Sequence, residues 1–388
     1  MLIAYVFDLT SSKTKIPSVI LLLLLGWASR ELTVWFDIKL PNFTGALPIL
    51  GTIGLILIVL EGALELELNK SKIKIIKKSF YGGLIPLVVL SVILAFLFNH
   101  YGNFGLKNSF INAIPFCVIS SAIAIPSVRH LASQNREFVT YESSLSDILG
   151  VLFFNFLTFN AIIDFQSIGQ FILQIIIIIV ISFIATIGLS YLLNKIEHHI
   201  KFIPIILMVI LIYEISKIYQ LPALIFILLF GLFIGNLKEL KKFKWTEKFE
   251  TSELQKEVHK FKELTTEAAF LIRVLFFILF GYLIETSEVM NVETFEWALI
   301  IVFAIFTLRA IQLKISRLPL LPLLFVAPRG LITILLFLSI DATQAISLVN
   351  KSLVIQVVLL TAVFMMIGLL STKTQKQQLP DNSATENL

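Results

Sequence analysis

Two stretches of the chain repeat each other: residues 15–26 read KIPSVILLLLLG, and residues 220–231 read QLPALIFILLFG. In both copies a proline and a glycine lie nine residues apart, and the copies are offset by 205 residues. A second pair, SSAIAIP at 120–126 and APRGL at 327–331, has nearly the same offset. The sequence therefore predicts two related halves.

The composition places the chain in a membrane. Hydrophobic residues make up 57% of its 388 residues and charged residues only 15%, which leaves too little polar surface to cover a water-soluble core of this size. Cys117 is the only cysteine, so a disulfide framework is excluded. The net charge of +5 does not indicate nucleic-acid binding, because the basic residues form short clusters between apolar segments.

Apolar runs long enough to cross about 30 Å of hydrocarbon predict twelve membrane spans. They lie near residues 16–29, 46–65, 79–99, 110–131, 141–163, 168–194, 201–217, 221–236, 267–284, 295–313, 319–341 and 352–371. A short apolar start, residues 2–7, ends at Asp8 and resembles the stub of a thirteenth helix. We therefore expect an all-α integral membrane protein of about 12–13 transmembrane helices.

Each repeated segment comes seven predicted spans after its partner, an odd shift, so the two halves are expected to cross the membrane in opposite orientations. Inverted halves with Pro- or Gly-interrupted helices at matching positions are typical of secondary transporters with a site near the midplane of the bilayer. The expected fold is thus an inverted repeat with two discontinuous helices. The alternative is that these prolines only kink their helices.

Lys and Arg are distributed unequally between alternate loops: 23 of the 31 lie on one side of the predicted bilayer. The positive-inside rule makes that side cytoplasmic. In a cell membrane, the C-terminus would then lie on the cytoplasmic side and the N-terminal stub on the outer side. One membrane domain is expected overall. Its predicted parts are residues 1–236, a cytoplasmic connector at 237–266 that is partly an amphipathic helix, residues 267–371, and a disordered tail at 372–388.

Ionisable residues inside the spans are few, and a charge near the bilayer centre is costly unless it is paired or hydrated. These residues are therefore the candidate functional groups: Glu61, Glu142, Asp147, Arg273, Arg309 and Arg329.

Asp147 is the centre of the predicted site. It lies about two turns into its span, while Ser120 and Ser121 lie near the middle of the preceding span. Pro126 removes an amide donor and frees the carbonyl of Ala122, which predicts a helix break there. Serine hydroxyls, free carbonyls and one carboxylate form an all-oxygen environment suited to a small hard cation.

A second break is predicted in the matching helix of the other half, where Pro328 and Gly330 flank Arg329. Because the two helices correspond in the repeat, this break is expected to lie beside the first.

Four segments resemble the monovalent cation/proton antiporters that include the sodium/proton exchangers. Residues 142–147 (ESSLSD) look like that family's Glu-Ser-x-x-Asn-Asp motif, and residues 60–64 (LEGAL) resemble its Phe-Glu-Gly-Ala-Leu stretch. The Phe-rich residues 276–281 and the Pro-Arg-Gly at 328–330 are similar to two further helices of the family. The resemblance runs from about residue 16 to residue 371.

The resemblance implies a homodimer of thirteen-helix subunits, in which a core domain moves against a dimerisation domain. It implies that Asp147 is the acid that binds the cation, Na⁺, or the proton. From the residues themselves, Ser146, Ser121 and Ser120 are the other predicted ion-binding residues. Glu142 would pair with Arg309, or otherwise with Arg329. The family's Thr-Asp appears here as Ser121-Ala122, without a carboxylate, and its Asn as Ser146.

We therefore expect a transporter that exchanges a monovalent cation, most simply Na⁺, for H⁺ at a single aspartate by alternating access. K⁺/H⁺ antiport and a cation channel or efflux pathway are the alternatives. Glu61 and Arg273 are candidates for an access path. The five histidines lie at loops or span ends and no nucleophile motif occurs within the spans, so neither an enzyme nor a cofactor is expected. The expected partners are the bilayer, the two ions and a second subunit.

Overall fold

The computed structural model describes residues 3, 5–7, 16–38, 41, 43, 45–66, 70–160, 164–195, 202–236 and 252–371. Within these residues the chain is helical and contains no strand. The predicted disordered tail and the first part of the predicted connector, up to residue 251, lie outside the described residues. Of the N-terminal stub, residues 3 and 5–7 are described, and they are helical.

Fourteen α-helices occur in the described part of the chain. In order they are α1 (Ser18–Trp35), α2 (Ala46–Glu65), α3 (Ile73–Gly102), α4 (Leu106–Ala113), α5 (Ser121–Ser127), α6 (Ser133–Phe159), α7 (Phe165–Lys195), α8 (Phe202–Ile218), α9 (Ala223–Gly235), α10 (Ser252–Tyr282), α11 (Thr286–Val289), α12 (Val292–Ile315), α13 (Leu331–Leu338) and α14 (Lys351–Ser371). Short 3₁₀ turns occur at Lys70–Lys72, Ile114–Phe116 and Leu323–Phe325.

Each of the twelve predicted spans falls on one of these helices or on a pair of short ones. Eight segments of the described residues are long and apolar enough to cross a membrane by themselves. The other four spans fall on α6, α8, α9 and the segment that contains α13. The prediction of an all-α membrane protein is confirmed. Helix α10 begins at Ser252, so the described part of the predicted connector is the start of this helix.

The two halves exchange helix partners. Helix α1 packs against α10, and its repeat counterpart α9 packs against α2. The glycine of each repeated stretch lies at such a contact. A side chain at Gly26 would collide with the backbone of Ile278 and Tyr282 in α10, and one at Gly231 would collide with Ala63 in α2. Glycine is therefore required at both positions because the helix backbones approach too closely for a Cβ atom.

Two helices are interrupted within the bundle. In the first, α4 and the turn Ile114–Phe116 are followed by non-helical residues 117–120 and then by α5. In the second, the turn Leu323–Phe325 is followed by non-helical residues 326–330 and then by α13. The breaks are joined, because the Ser120 N–H donates to the Pro328 carbonyl at 3.0 Å.

The second break lies at the predicted position, whereas the first break lies before its predicted position. Pro126 lies within α5, near its end, and the helix is interrupted at residues 117–120 instead. The non-helical backbone is stabilised there by contacts from other elements, including the bond to Pro328. Proline removes one N–H donor, but a break in hydrocarbon requires partners for all the freed backbone groups.

Candidate functional site

Asp147 is a buried carboxylate in the middle of α6, with 3% of its surface exposed. Its Oδ2 accepts hydrogen bonds from the Ser121 hydroxyl and, at 3.3 Å, from the Ser121 N–H at the start of α5. Its Oδ1 is buried and has no hydrogen-bond partner among the described residues. No basic side chain of the described residues forms an ion pair with Asp147, so its charge has only hydroxyl and amide partners.

The other two predicted ligands also lie at the first break. Ser146 Oγ accepts a hydrogen bond from the Ile119 N–H at 3.0 Å, so this side chain holds the non-helical backbone in place. Ser120 is buried, and its hydroxyl has no partner in the part of the chain that is described. The structure therefore brings Asp147, Ser146, Ser121 and Ser120 to one break, with Ser121 alone of the serines bonded to the carboxylate.

Glu142 lies five residues before Asp147 and is neutralised by the protein. Arg309 Nη1 of α12 lies 2.5 Å from Glu142 Oε1, and both side chains are buried. Gln312 Nε2 lies 3.4 Å from the same oxygen. The guanidinium also donates to the carbonyls of Leu323 and Val326 at the second break, at 3.2 and 3.3 Å. This pair therefore links α6 to the second interrupted helix.

Arg329, the alternative partner of Glu142, is used differently. Its Nε donates to the Phe116 carbonyl at 2.6 Å and its Nη1 to the Ala327 carbonyl at 3.0 Å. It thus places a positive charge at the C-terminal end of the turn Ile114–Phe116, where the helix dipole is negative. The Arg329 N–H donates to Thr361 Oγ1 of α14 at 3.0 Å, which fixes the second break against that helix.

Glu61 of α2 and Arg273 of α10 form a second ion pair, which the sequence did not reveal. Arg273 Nη2 lies 2.8 Å from Glu61 Oε2, and the side chains are 8% and 13% exposed. Sequence analysis singled out both residues separately as intramembrane charges. Their opposite signs in a chain with few such charges were the only signal, and pairing them required knowing that α2 packs against α10.

Comparison with models of known protein families assigns this chain to a family. The family model described as sodium/hydrogen exchanger, transmembrane, matches residues 1–372. The chain belongs to the sodium/hydrogen exchanger family. The predicted resemblance is confirmed, and it supports cation/proton antiport as the activity of this exchanger. A comparison with curated proteins finds no match.

Solved structures with the same fold include the sodium proton antiporter MjNhaP1 from Methanocaldococcus jannaschii. The structure at pH 8 is 19% identical, with a TM-score of 0.67, and the match covers 95% of this chain and 93% of that one. A map from electron microscopy of the same antiporter gives a TM-score of 0.69 at 18% identity, covering 94% and 92%. These likenesses establish the fold of the exchanger, and both neighbours are transporters rather than enzymes.

A cavity of about 350 Å³ lies against residues of α6 that precede Asp147. It is lined from α2 by Glu61 and Glu65, from α6 by Thr140 and Tyr141, and from α10 by Thr266, among others. A smaller cavity of about 90 Å³ lies against Val151 and Asn155, further along α6 on the other side of Asp147. Asp147 therefore lies on α6 between the linings of two cavities.

The donor set at Asp147 is one carboxylate with hydroxyls. No group of three or more His, Cys, Asp or Glu side chains that could hold a metal ion occurs in the described ranges. A single carboxylate with neutral oxygens suits a monovalent ion that is bound and released, and provides too little negative charge for tight binding of a divalent ion.

Proposed function

We propose that this chain exchanges Na⁺ for H⁺ by alternating access, with Asp147 as the group that binds either ion. The observation that carries the proposal is the state of that carboxylate. It is buried at the crossing of two interrupted helices, one oxygen is bonded by Ser121, and the other has no partner among the described residues.

A bare carboxylate in a low-dielectric interior is costly, and a proton or a cation removes the cost. Asp147 is therefore expected to be occupied whenever the site is closed to water. An exchanger needs this property, because switching sides while empty would let one ion leak without the other.

The coordination that we propose for Na⁺ uses oxygen atoms only. Asp147 supplies the charge, the hydroxyls of Ser121 and Ser120 supply neutral oxygens, and Ser146 positions the backbone by accepting the Ile119 N–H. Hard monovalent cations prefer such oxygen ligands. MjNhaP1, which has the same fold, is described as a sodium proton antiporter, and this supports Na⁺ as the cation.

Alternating access is supported by the placement of the larger cavity. Its lining comes from α2 and α10 on one side and from α5 and α6 on the other. Sliding of α5, α6 and the second interrupted helix against α1, α2, α9 and α10 would close this cavity and open the smaller one. We further propose a homodimer in the cell membrane, as the family resemblance implies. The distribution of basic residues supports a cytoplasmic C-terminus.

Everted membrane vesicles from cells that express the protein test the activity. With a pH gradient reported by fluorescence, Na⁺, Li⁺, K⁺ and Ca²⁺ are added in turn, and vesicles without the protein are the control. We expect Na⁺ to dissipate the gradient. Dissipation by K⁺ alone would favour K⁺/H⁺ antiport, and cation flux without proton movement would indicate a channel.

A further inference from the structure

The route between the larger cavity and Asp147 follows one face of α6. Thr140 and Tyr141 line the cavity, Ser144 comes three to four residues later, and Asp147 three residues after that. Residues spaced by three and four lie on the same face of a helix. Ser144 is therefore about 4.5 Å along the helix from Asp147 and about 6 Å from Thr140, between the cavity and the ion site.

The Ser144 hydroxyl is buried and has no hydrogen-bond partner among the described residues. The neighbouring Ser143 differs, because its hydroxyl donates to the Val139 carbonyl of its own helix at 2.8 Å. Buried polar groups are nearly always hydrogen-bonded, so an unpartnered hydroxyl requires an explanation. Ser144 thus has an oxygen available to a transient ligand.

Helix α2 closes on this hydroxyl at Gly62, the residue after Glu61. A Cβ atom at Gly62 would lie 2.8 Å from Ser144 Oγ and 3.7 Å from Ser144 Cβ. A side chain at Gly62 and the hydroxyl of Ser144 therefore compete for the same space, whereas alanine at both positions would leave ordinary van der Waals room, because the two Cβ atoms would lie 3.7 Å apart. Gly62 and Ser144 are therefore a close contact between α2 and α6.

We infer that Gly62 and Ser144 form the constriction through which Na⁺ passes from the cavity to Asp147. Ser144 Oγ is the protein oxygen that the cation meets as it loses water, and Gly62 keeps the passage open. This inference rests on the proposed function and adds two residues that determine entry, upstream of the carboxylate that binds the ion.

Purified protein in proteoliposomes tests the inference by measuring the half-saturating Na⁺ concentration and the maximal rate separately. Ser144→Ala removes one oxygen ligand, so we expect the half-saturating concentration to rise roughly threefold to tenfold, with the maximal rate nearly unchanged. Gly62→Ala narrows the passage and should lower the maximal rate. The double variant regains the space and should recover most of that rate, although it keeps the weaker Na⁺ dependence.

Gly54→Ala provides the matched control in the same helix. A Cβ atom at Gly54 would meet Ile272 and Leu331 at 3.2 and 3.3 Å, away from Ser144. Ser144→Ala should not rescue any loss caused by Gly54→Ala, because independent sites behave additively. Ser144→Thr keeps the hydroxyl and adds bulk, so it should lower the rate without weakening the Na⁺ dependence, and it replaces Gly62→Ala if that variant does not insert.

An unchanged Na⁺ dependence in Ser144→Ala, together with simple additivity in the Gly62 double variant, would overturn the inference while leaving the proposed function intact. Absence of Na⁺-driven proton movement in the unmodified protein would contradict the proposed function itself.

Discussion

Glu142 and Asp147 lie five residues apart on the same helix, and both are buried, yet the protein treats them in opposite ways. Glu142 has a guanidinium at 2.5 Å and an amide at 3.4 Å. Asp147 has only Ser121 on one oxygen and no described partner on the other. Five residues correspond to about 140° around a helix, so the two side chains point in different directions.

The contrast separates a charge that holds the structure together from one reserved for a mobile ion. A buried carboxylate with a permanent counter-ion attracts a transported cation only weakly, because its charge is already compensated. A carboxylate surrounded by hydroxyls and amides still lacks a positive partner. The following predictions test this comparison.

Asp147→Asn should remove exchange completely while the protein remains folded and inserted. The amide has the same shape, but it can neither take up a proton nor offer a full charge to Na⁺. Proton movement on addition of Na⁺ is the measurement, and Asp341→Asn, at an exposed loop, is the control. Normal exchange by Asp147→Asn would refute the assignment.

Glu142→Gln should mainly lower stability, because it leaves a buried guanidinium without its charge partner. Loss of one member of a buried pair typically costs about 3–5 kcal/mol. Arg309→Gln should have a similar effect, and the double variant should lose less than the sum of the two. Thermal unfolding of the purified protein is the measurement.

A part-exposed pair provides the control for that experiment: Glu137→Gln removes the partner of Lys72 at 3.2 Å, and its effect should be under about 1 kcal/mol. Strict additivity of the Glu142 and Arg309 changes would mean that the two residues do not stabilise the fold as a pair.

Glu61→Gln should retain exchange and lower stability less than Glu142→Gln does. Glu61 lines the polar cavity, and the Glu61–Arg273 pair is less buried than the Glu142–Arg309 pair, so water from the cavity can reach the position beside Arg273 that the carboxylate leaves. Unfolding temperature and exchange rate are measured together. Loss of exchange in Glu61→Gln would identify a second titrating group and weaken the contrast between Asp147 and every other buried acid.

A membrane potential should have no effect on exchange. Only Asp147 is expected to take up and release a proton near the site, because Ser146 and Ala122 carry no acidic side chain. One monovalent cation per proton moves no net charge. Proteoliposomes with an imposed potential and no ion gradient test this count, and Na⁺ uptake driven by voltage would show that it is wrong.

Much of the fold could be predicted because hydrophobic length is a local property. The limits of that signal are equally physical. Helix α6 begins at Ser133, well before the apolar run that starts at residue 141, because its first turns carry Arg136 and Glu137 and lie outside the apolar part of the span. Hydropathy detects the part of a helix that prefers hydrocarbon, while the helix continues into water.

The site was predictable as far as its residues are polar in apolar surroundings. Asp147, Ser120 and Ser121 stand out for that reason. The position of the first break could not be predicted, because it depends on hydrogen-bond partners from other parts of the chain. Ser146 accepts from the Ile119 N–H, and the Pro328 carbonyl accepts from the Ser120 N–H. The same is true of Glu61 with Arg273, whose pairing depends on which helices pack together.

The exchange of partners between the halves has a consequence for synthesis. Gly26 of α1 fits against α10, and Ala63 of α2 fits against Gly231 of α9. When a ribosome has completed only the first half, these two close-packing faces have no helix to cover them. They meet their partners only after the chain has been inserted as far as Tyr282. The first half is therefore exposed to lipid at these faces until then. A chain truncated before Tyr282 should be degraded as an incomplete fragment rather than act as a smaller transporter.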